Sequence, residues 1–345
     1  MRLMTVQGLL LSATCGFLLA AASAGCGGDG GMMMEEKCTA DKVTGTASQY
    51  ATNNLFLPQS AGSKTYAYDF NKDGKTENQL KTLIQAVTVA GLNLQESVSK
   101  AVTDGDAVIL SEVKTADLMT AGCVGVTLSL ADPPGMGGKA PVFDGSDLFK
   151  VGKVQGVKLY GKIEAGKLNT TPSADQSAED EQRIEISLPL AMGATLPLAL
   201  RGVHIEGTLA MDKNQPVIKD GQLHGVISQK DIDGKIVPLV AKLVSGLVNK
   251  EPMGSTAKTI VNLFENQMNE VSKNKCMNTP EKCCKTNPMT CEILDAEIKI
   301  SPVGNVLSSD IEAFDSTDRW APSKENKNKN GMSVGLGFSM IKAKF

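Results

Sequence analysis

The chain predicts an α+β protein, mainly an antiparallel β-sandwich or partly closed barrel packed with a few amphipathic helices. Three observations carry this. Short runs dense in Val, Ile and Leu fill the middle of the chain, turn chemistry separates them, and helix-period apolar spacing is confined to flanking regions. The β runs are "AVILSEV", "CVGVTLSLA", "VKLYGKIE", "RIEISLPL", "GVHIEGTLAM" and "QLHGVIS", broken by "TDGD", "DPPG", "MDKN" and "KDG". Ahead of them, "TYAYDF" at 65–70 alternates Tyr66, Tyr68 and Phe70 and predicts a strand. Leu80, Leu83, Ile84 and Val87 then share one helix face, and a second short helix is expected from Gln95 to Val102. After Ser228 a helical hairpin is expected over 231–273. Ile236, Leu239, Val240, Leu243, Val244 and Leu247 form its apolar stripe, and Pro238 lies near the start, where a missing N–H is tolerated. "GMSVGLGFSMIKAKF" predicts a closing strand. "DPPGMGGKAPVFDGSD" and "TTPSADQSAEDEQ" read as exposed loops.

Residues 1–25 read as a signal peptide, with one cation at Arg2 and an apolar run from Leu9 to Ala22 too short to span a bilayer comfortably. Removing Arg2 takes the net charge from −3 to −4, since no other charge lies in that stretch. A mildly acidic chain argues against nucleic acid as an electrostatic partner. The ending "SAGC" resembles a bacterial lipobox, which implies lipidation at Cys26, with Ser23 departing from the usual Leu. On that resemblance, 26–40 is a lipidated cysteine with a Gly-rich tether and 41–345 is a single globular body. Gly27 after the lipidated cysteine implies delivery to the outer membrane, so the membrane is a partner through the lipid.

Setting aside Cys15 and Cys26 leaves Cys38, Cys123, Cys276, Cys283, Cys284 and Cys291. An even set in an exported chain predicts disulfides. The last four lie in "CMNTPEKCCKTNPMTC", a 276–291 loop expected to be bridged within itself, with Cys38–Cys123 as a long-range bridge. Structural zinc usually takes cysteine pairs two to four residues apart, a spacing this loop lacks.

"DFNKDGKTE" places oxygen side chains at Asp69, Asn71, Asp73 and Glu77, with Gly74 at the turn and Lys75 offering its carbonyl. Calcium takes six to eight hard oxygens around such a compact loop. The pattern resembles the DxDxDG calcium loops of EF-hands, dockerins and propeller-type β-loops. Leu80 stands where an EF-hand has its Glu, so the match is to the shorter, nine-residue form. The resemblance implies structural Ca2+ at roughly 0.1–1 mM affinity. Asp310, Glu312, Asp315 and Asp318 read as an acidic surface turn.

Catalytic signals are sparse. His204 and His224 lie inside strand-like runs and are expected to be structural, because two histidines need recruited acids to complete a zinc site. The chain has no HExxH or phosphate-cradling loop, and its GxSxG spacing, "GMSVG" at 331–335, falls inside the expected closing strand rather than at a strand-to-helix elbow. Together these features resemble uncharacterised bacterial lipoproteins. The expected role is a non-enzymatic, calcium-stabilised binding or structural protein on the outer membrane. A carrier of lipid or another apolar ligand, pocketed against the 232–249 helix, is the first alternative, and a hydrolase of unidentified type the second.

Overall fold

The structure is a computed structural model that describes residues 37–345 except 60–64, 90–92, 136–137, 154–155, 172–182, 190–194 and 241–306. The signal peptide, Cys26, most of the tether, the 276–291 cysteines and the hairpin beyond residue 240 lie outside the described residues. Cys38–Phe345 forms one compact unit.

Among the described residues the body is mostly antiparallel β with three short helices. The strands are β1 (Thr46–Phe56), β2 (Ile109–Thr115), β3 (Ala121–Leu130), β4 (Val157–Glu164), β5 (Lys167–Thr171), β6 (Ile184–Pro189), β7 (Thr195–Asp212), β8 (Gln215–Ser228) and β9 (Gly331–Lys342). They pair in the order β5-β4-β3-β2-β1-β9-β8-β7-β6. A further pairing of β5 with β7, through Lys167↔Thr208 and Asn169↔Glu206, closes eight of them into a ring. Closure leaves those strands without a free edge along the paired segments.

Alternation explains the strands. In β4, Val157, Leu159, Gly161 and Ile163 are buried while Lys158 and Glu164 are exposed. The main core gathers such residues from every strand, together with Leu80, Leu83 and Ile84 of α1 (Gln79–Val89) and Leu94, Val98 and Val102 of α2 (Leu94–Asp104). Each buried Leu or Ile contributes about 1.5–3 kcal/mol. The caps of α2 are local: the Asn93 side chain accepts from the Glu96 amide, and Gly105 adopts φ 88° at the C-terminal end. Cys38 and Cys123 stand at disulfide distance, with Cα atoms 5.1 Å apart.

The fold departs from the sequence reading in four places. "TYAYDF" is not a strand: Tyr66 takes φ 47°, which breaks the extended path, and only Tyr68 pairs, in an isolated bridge to Glu77. "KDG" at 219–221 is a bulge inside β8 rather than a turn between strands. The strands β1 and β5 were not anticipated, because "TASQYATNNLF" carries few large apolar residues and "KLNTT" is only five residues long. The 231–273 helix starts earlier, at α3 (Gln229–Asp231), and runs into a π-helical turn over Ile232–Ile236.

Candidate functional site

The ring presents a second, smaller apolar cluster on the far side of the β7–β8 ladder. Val203, Ile205, Leu223 and Ile227 belong to the main core. Val226 instead joins Phe70, Ile311, Ala313 and Phe314, with Tyr68 and Trp320 packed against them. Residues 65–78 and 307–323 therefore supply the groups that cover this face. Glycine makes the fit possible: a Cβ at Gly335 of β9 would lie 1.7 Å from the Tyr66 carbonyl oxygen. The side-chain amide of Asn78 fastens the segment there. Its nitrogen donates to the Thr65, Tyr66 and Gly335 carbonyls, and its oxygen accepts from the Gly335 amide.

Within this cover lies the oxygen-rich loop. Asp69 accepts from the amides of Asp73 (3.1 Å) and Gly74 (2.9 Å), and Asp73 accepts from Lys75 (2.8 Å). The buried Asn71 accepts from the Asp73 amide at 3.2 Å. Gly74 takes φ 87°, as the sharp turn requires. Tyr68 and Glu77 close the loop with two backbone hydrogen bonds of 3.1 Å each. Glu77 Oε2 is buried with no hydrogen-bond partner among the described residues. Burial first, then the charges of Asp73, Asp310 and Asp69, push its carboxyl up to about 7.

Asp310 comes from a distant segment. Its carboxylate accepts from both the amide and the hydroxyl of Ser333, and that hydroxyl in turn accepts from the amide of Gln79 at 2.9 Å. The other acids of its run point elsewhere. Glu312 accepts from the Lys327 and Asn328 amides, Asp315 caps Thr317 and Arg319, and Asp318 pairs with Arg201 at 3.1 Å.

Directly beside the loop stands a group that sequence reading treated as structural. His204 on β7 is paired opposite His224 on β8. Counting back from the turn pair Asp212↔Gln215, residue 204 would face Leu223. The "KDG" bulge inserts one extra residue, with Asp220 at φ 49°, and shifts the register so that the histidines meet. Glu206, two residues along β7, shares their face. Its Oε1 lies 3.2 Å from His224 Nε2 and 3.9 Å from His204 Nε2. One ligand atom from each of the three residues lies within 4.8 Å of the others.

Both rings are fully buried, and Tyr68 stacks on them with centroids at 4.3 and 5.0 Å. Burial and the neighbouring His224 push the His204 pKa down to about 4, with Glu206 opposing. His204 is thus neutral at pH 7. The hydrogen bond from His224 helps hold the Glu206 carboxyl below its ordinary range. Burial, with the charges of Glu206 and Asp69, pushes the Tyr68 phenol up to about 12. Neither nitrogen of His204 nor Nδ1 of His224 has a hydrogen-bond partner among the described residues. A buried polar group left so costs about 1–3 kcal/mol. The signal that could have found this group was "KDG" read as a bulge, because only that shift puts residues twenty apart on one face.

Two clefts also open among the described residues. One of about 680 Å³ is lined by Pro133, Pro134, Pro141, Val142, Leu148 and Phe149, among others. The other, about 480 Å³, lies by Tyr66, Lys219 and Phe338. Neither is lined by described residues of the 232–240 helix. No helix among the described residues is long and apolar enough to cross a membrane. No protein-family model, curated protein or solved structure matches this chain.

Proposed function

We propose a lipid-anchored envelope protein whose β body, read as a barrel rather than a sandwich, is stabilised by calcium at residues 69–77 and serves binding or scaffolding rather than catalysis. The observation that carries the calcium reading is the gathering of acids around Glu77. Asp69 and Asp73 come from its own loop and Asp310 from a segment more than two hundred residues away. Carboxylates held this close repel one another, and a divalent cation relieves that repulsion. Asp69, Asn71, Asp73, Glu77 and the Lys75 carbonyl offer the hard oxygens calcium requires. The loop is fastened to β9 through Asn78, so an ion there would hold the cover on the β7–β8 face.

The lipid anchor at Cys26 rests on the "SAGC" ending alone. Intact mass of envelope-extracted protein tests it: an acyl adduct at Cys26 is expected, and an unmodified N-terminus beyond Ala24 excludes it. Thermal melting in calcium against chelator tests the loop, with Asp310→Asn expected to weaken the calcium response. The carrier reading draws on one feature, the 680 Å³ cleft flanked by exposed Val142 and Leu148. Co-purified lipid in native mass spectrometry would favour it.

A further inference from the structure

The chain has two histidines, and the fold places them directly opposite each other. We propose that His204, Glu206 and His224 form a binding site for a divalent first-row transition-metal ion, zinc being the best-matched. This site does not depend on the calcium reading of the neighbouring loop.

The distances suit one shared ion. Bonds of 2.0–2.1 Å to a tetrahedral zinc put neighbouring donor atoms about 3.4 Å apart. The two Nε2–Oε1 separations, 3.2 and 3.9 Å, bracket that figure. Two imidazoles on one such ion have ring centres about 5 Å apart, and here they are 5.5 Å apart. The three ligand atoms all lie within 4.8 Å of one another, so the two imidazoles need to draw together by about 1 Å at most to share the ion.

The surroundings fit as well. Tyr68 covers the faces of the rings, lying within 26° of both planes, so the in-plane lone pairs remain available to an ion. Between the two β7 ligands, the Ile205 backbone is locked by Thr170, whose hydroxyl accepts from the Ile205 amide and donates to its carbonyl. Phe70 stands edge-on to His224, and with Val226 and Phe314 it builds an apolar wall that strengthens ion–ligand attraction. Of the buried nitrogens without partners, His204 Nε2 is the one an ion here would satisfy. Two imidazoles and one carboxylate favour zinc-like ions over calcium, which prefers an all-oxygen shell. Three protein ligands leave a fourth position for water or a small donor.

The test is a zinc titration of the full-length chain, 15N-labelled at histidine, followed through the ring nitrogens. With only two histidines, every signal is assignable. One equivalent of zinc is expected to shift both rings together, and Glu206→Gln is expected to weaken binding at least tenfold with an unchanged circular dichroism spectrum. Ring signals that stay fixed up to millimolar zinc overturn the site. So does zinc retained while both rings stay fixed, which would move the ligands to the 276–291 cysteines. The wild-type readout decides the matter even if the variant fails to fold, and it is blind to whether the 69–77 loop takes calcium.

Discussion

The oxygen loop at 69–77 and the histidine cluster on β7–β8 touch through Tyr68, yet they are built in opposite ways. In the loop, five candidate ligands lie within nine consecutive residues, and the side-chain oxygens of Asp69 and Asn71 and one of Asp73 already accept from the loop's own amides. In the cluster, the ligands come from two strands, and three of the four imidazole nitrogens have no partner among the described residues. Asp69, Asn71 and Asp73 are largely satisfied before any ion arrives and only Glu77 Oε2 is left without a partner, so calcium is expected to add modest stability. The cluster offers an unpartnered His204 Nε2 beside a carboxylate and a second imidazole, inside an apolar wall, so its response to a matched ion should be larger.

Four substitutions sharpen or break this contrast. The largest effect is expected from Gly335→Val, whose side chain would collide with the Tyr66 carbonyl and lift the segment covering both sites. It should cost about 3 kcal/mol in urea denaturation and weaken both ion responses; two intact responses would show that the two sites do not share this seat. His224→Ala should weaken zinc about 100-fold, or about 2.7 kcal/mol, while leaving the calcium shift in melting temperature intact. Calorimetric titration with each ion checks the separation.

Asp73→Ala should do the reverse. It removes the stabilisation of about 1.4 kcal/mol that calcium at ten times its Kd would give, and leaves zinc binding unchanged. The smallest effect is expected from Tyr68→Phe, which keeps the stacked ring and removes only the phenol oxygen. Stability should move by less than about 0.5 kcal/mol and zinc affinity by less than about twofold. A larger loss of zinc affinity would identify that oxygen as the fourth ligand.

What could be read in advance follows the same division. The turn at 69–77 was legible because its oxygen side chains are neighbours in sequence and Gly74 takes the positive φ it needs. β4 and the helix at Leu80–Ile84 were legible because burial follows a simple period. β1 was not, because its fully buried positions include Ala51 and Thr52 rather than a row of large apolar residues. Tyr66, Tyr68 and Phe70 misled, since alternation implies one face only where the backbone is extended, and Tyr66 has φ 47°. The histidine pairing was hidden for a third reason. It depends on a one-residue bulge, and a strand register displaced by one residue sends every side chain to the other face. The histidines are expected from sequence to be structural, because two need recruited acids to complete a zinc site; the fold places Glu206 beside them.

The calcium and zinc proposals together put two sites of different chemistry side by side under one cover. Melting the wild-type protein in chelator, in calcium, in zinc and in both ions tests this most directly. Each ion alone should raise the melting temperature, zinc more than calcium, and the two together should raise it further than either. Coincident curves in calcium and chelator would reduce the loop to a polar turn. A zinc shift that vanishes when calcium is present would mean that the two ions compete for one site and that the histidine cluster and the loop are not separate sites.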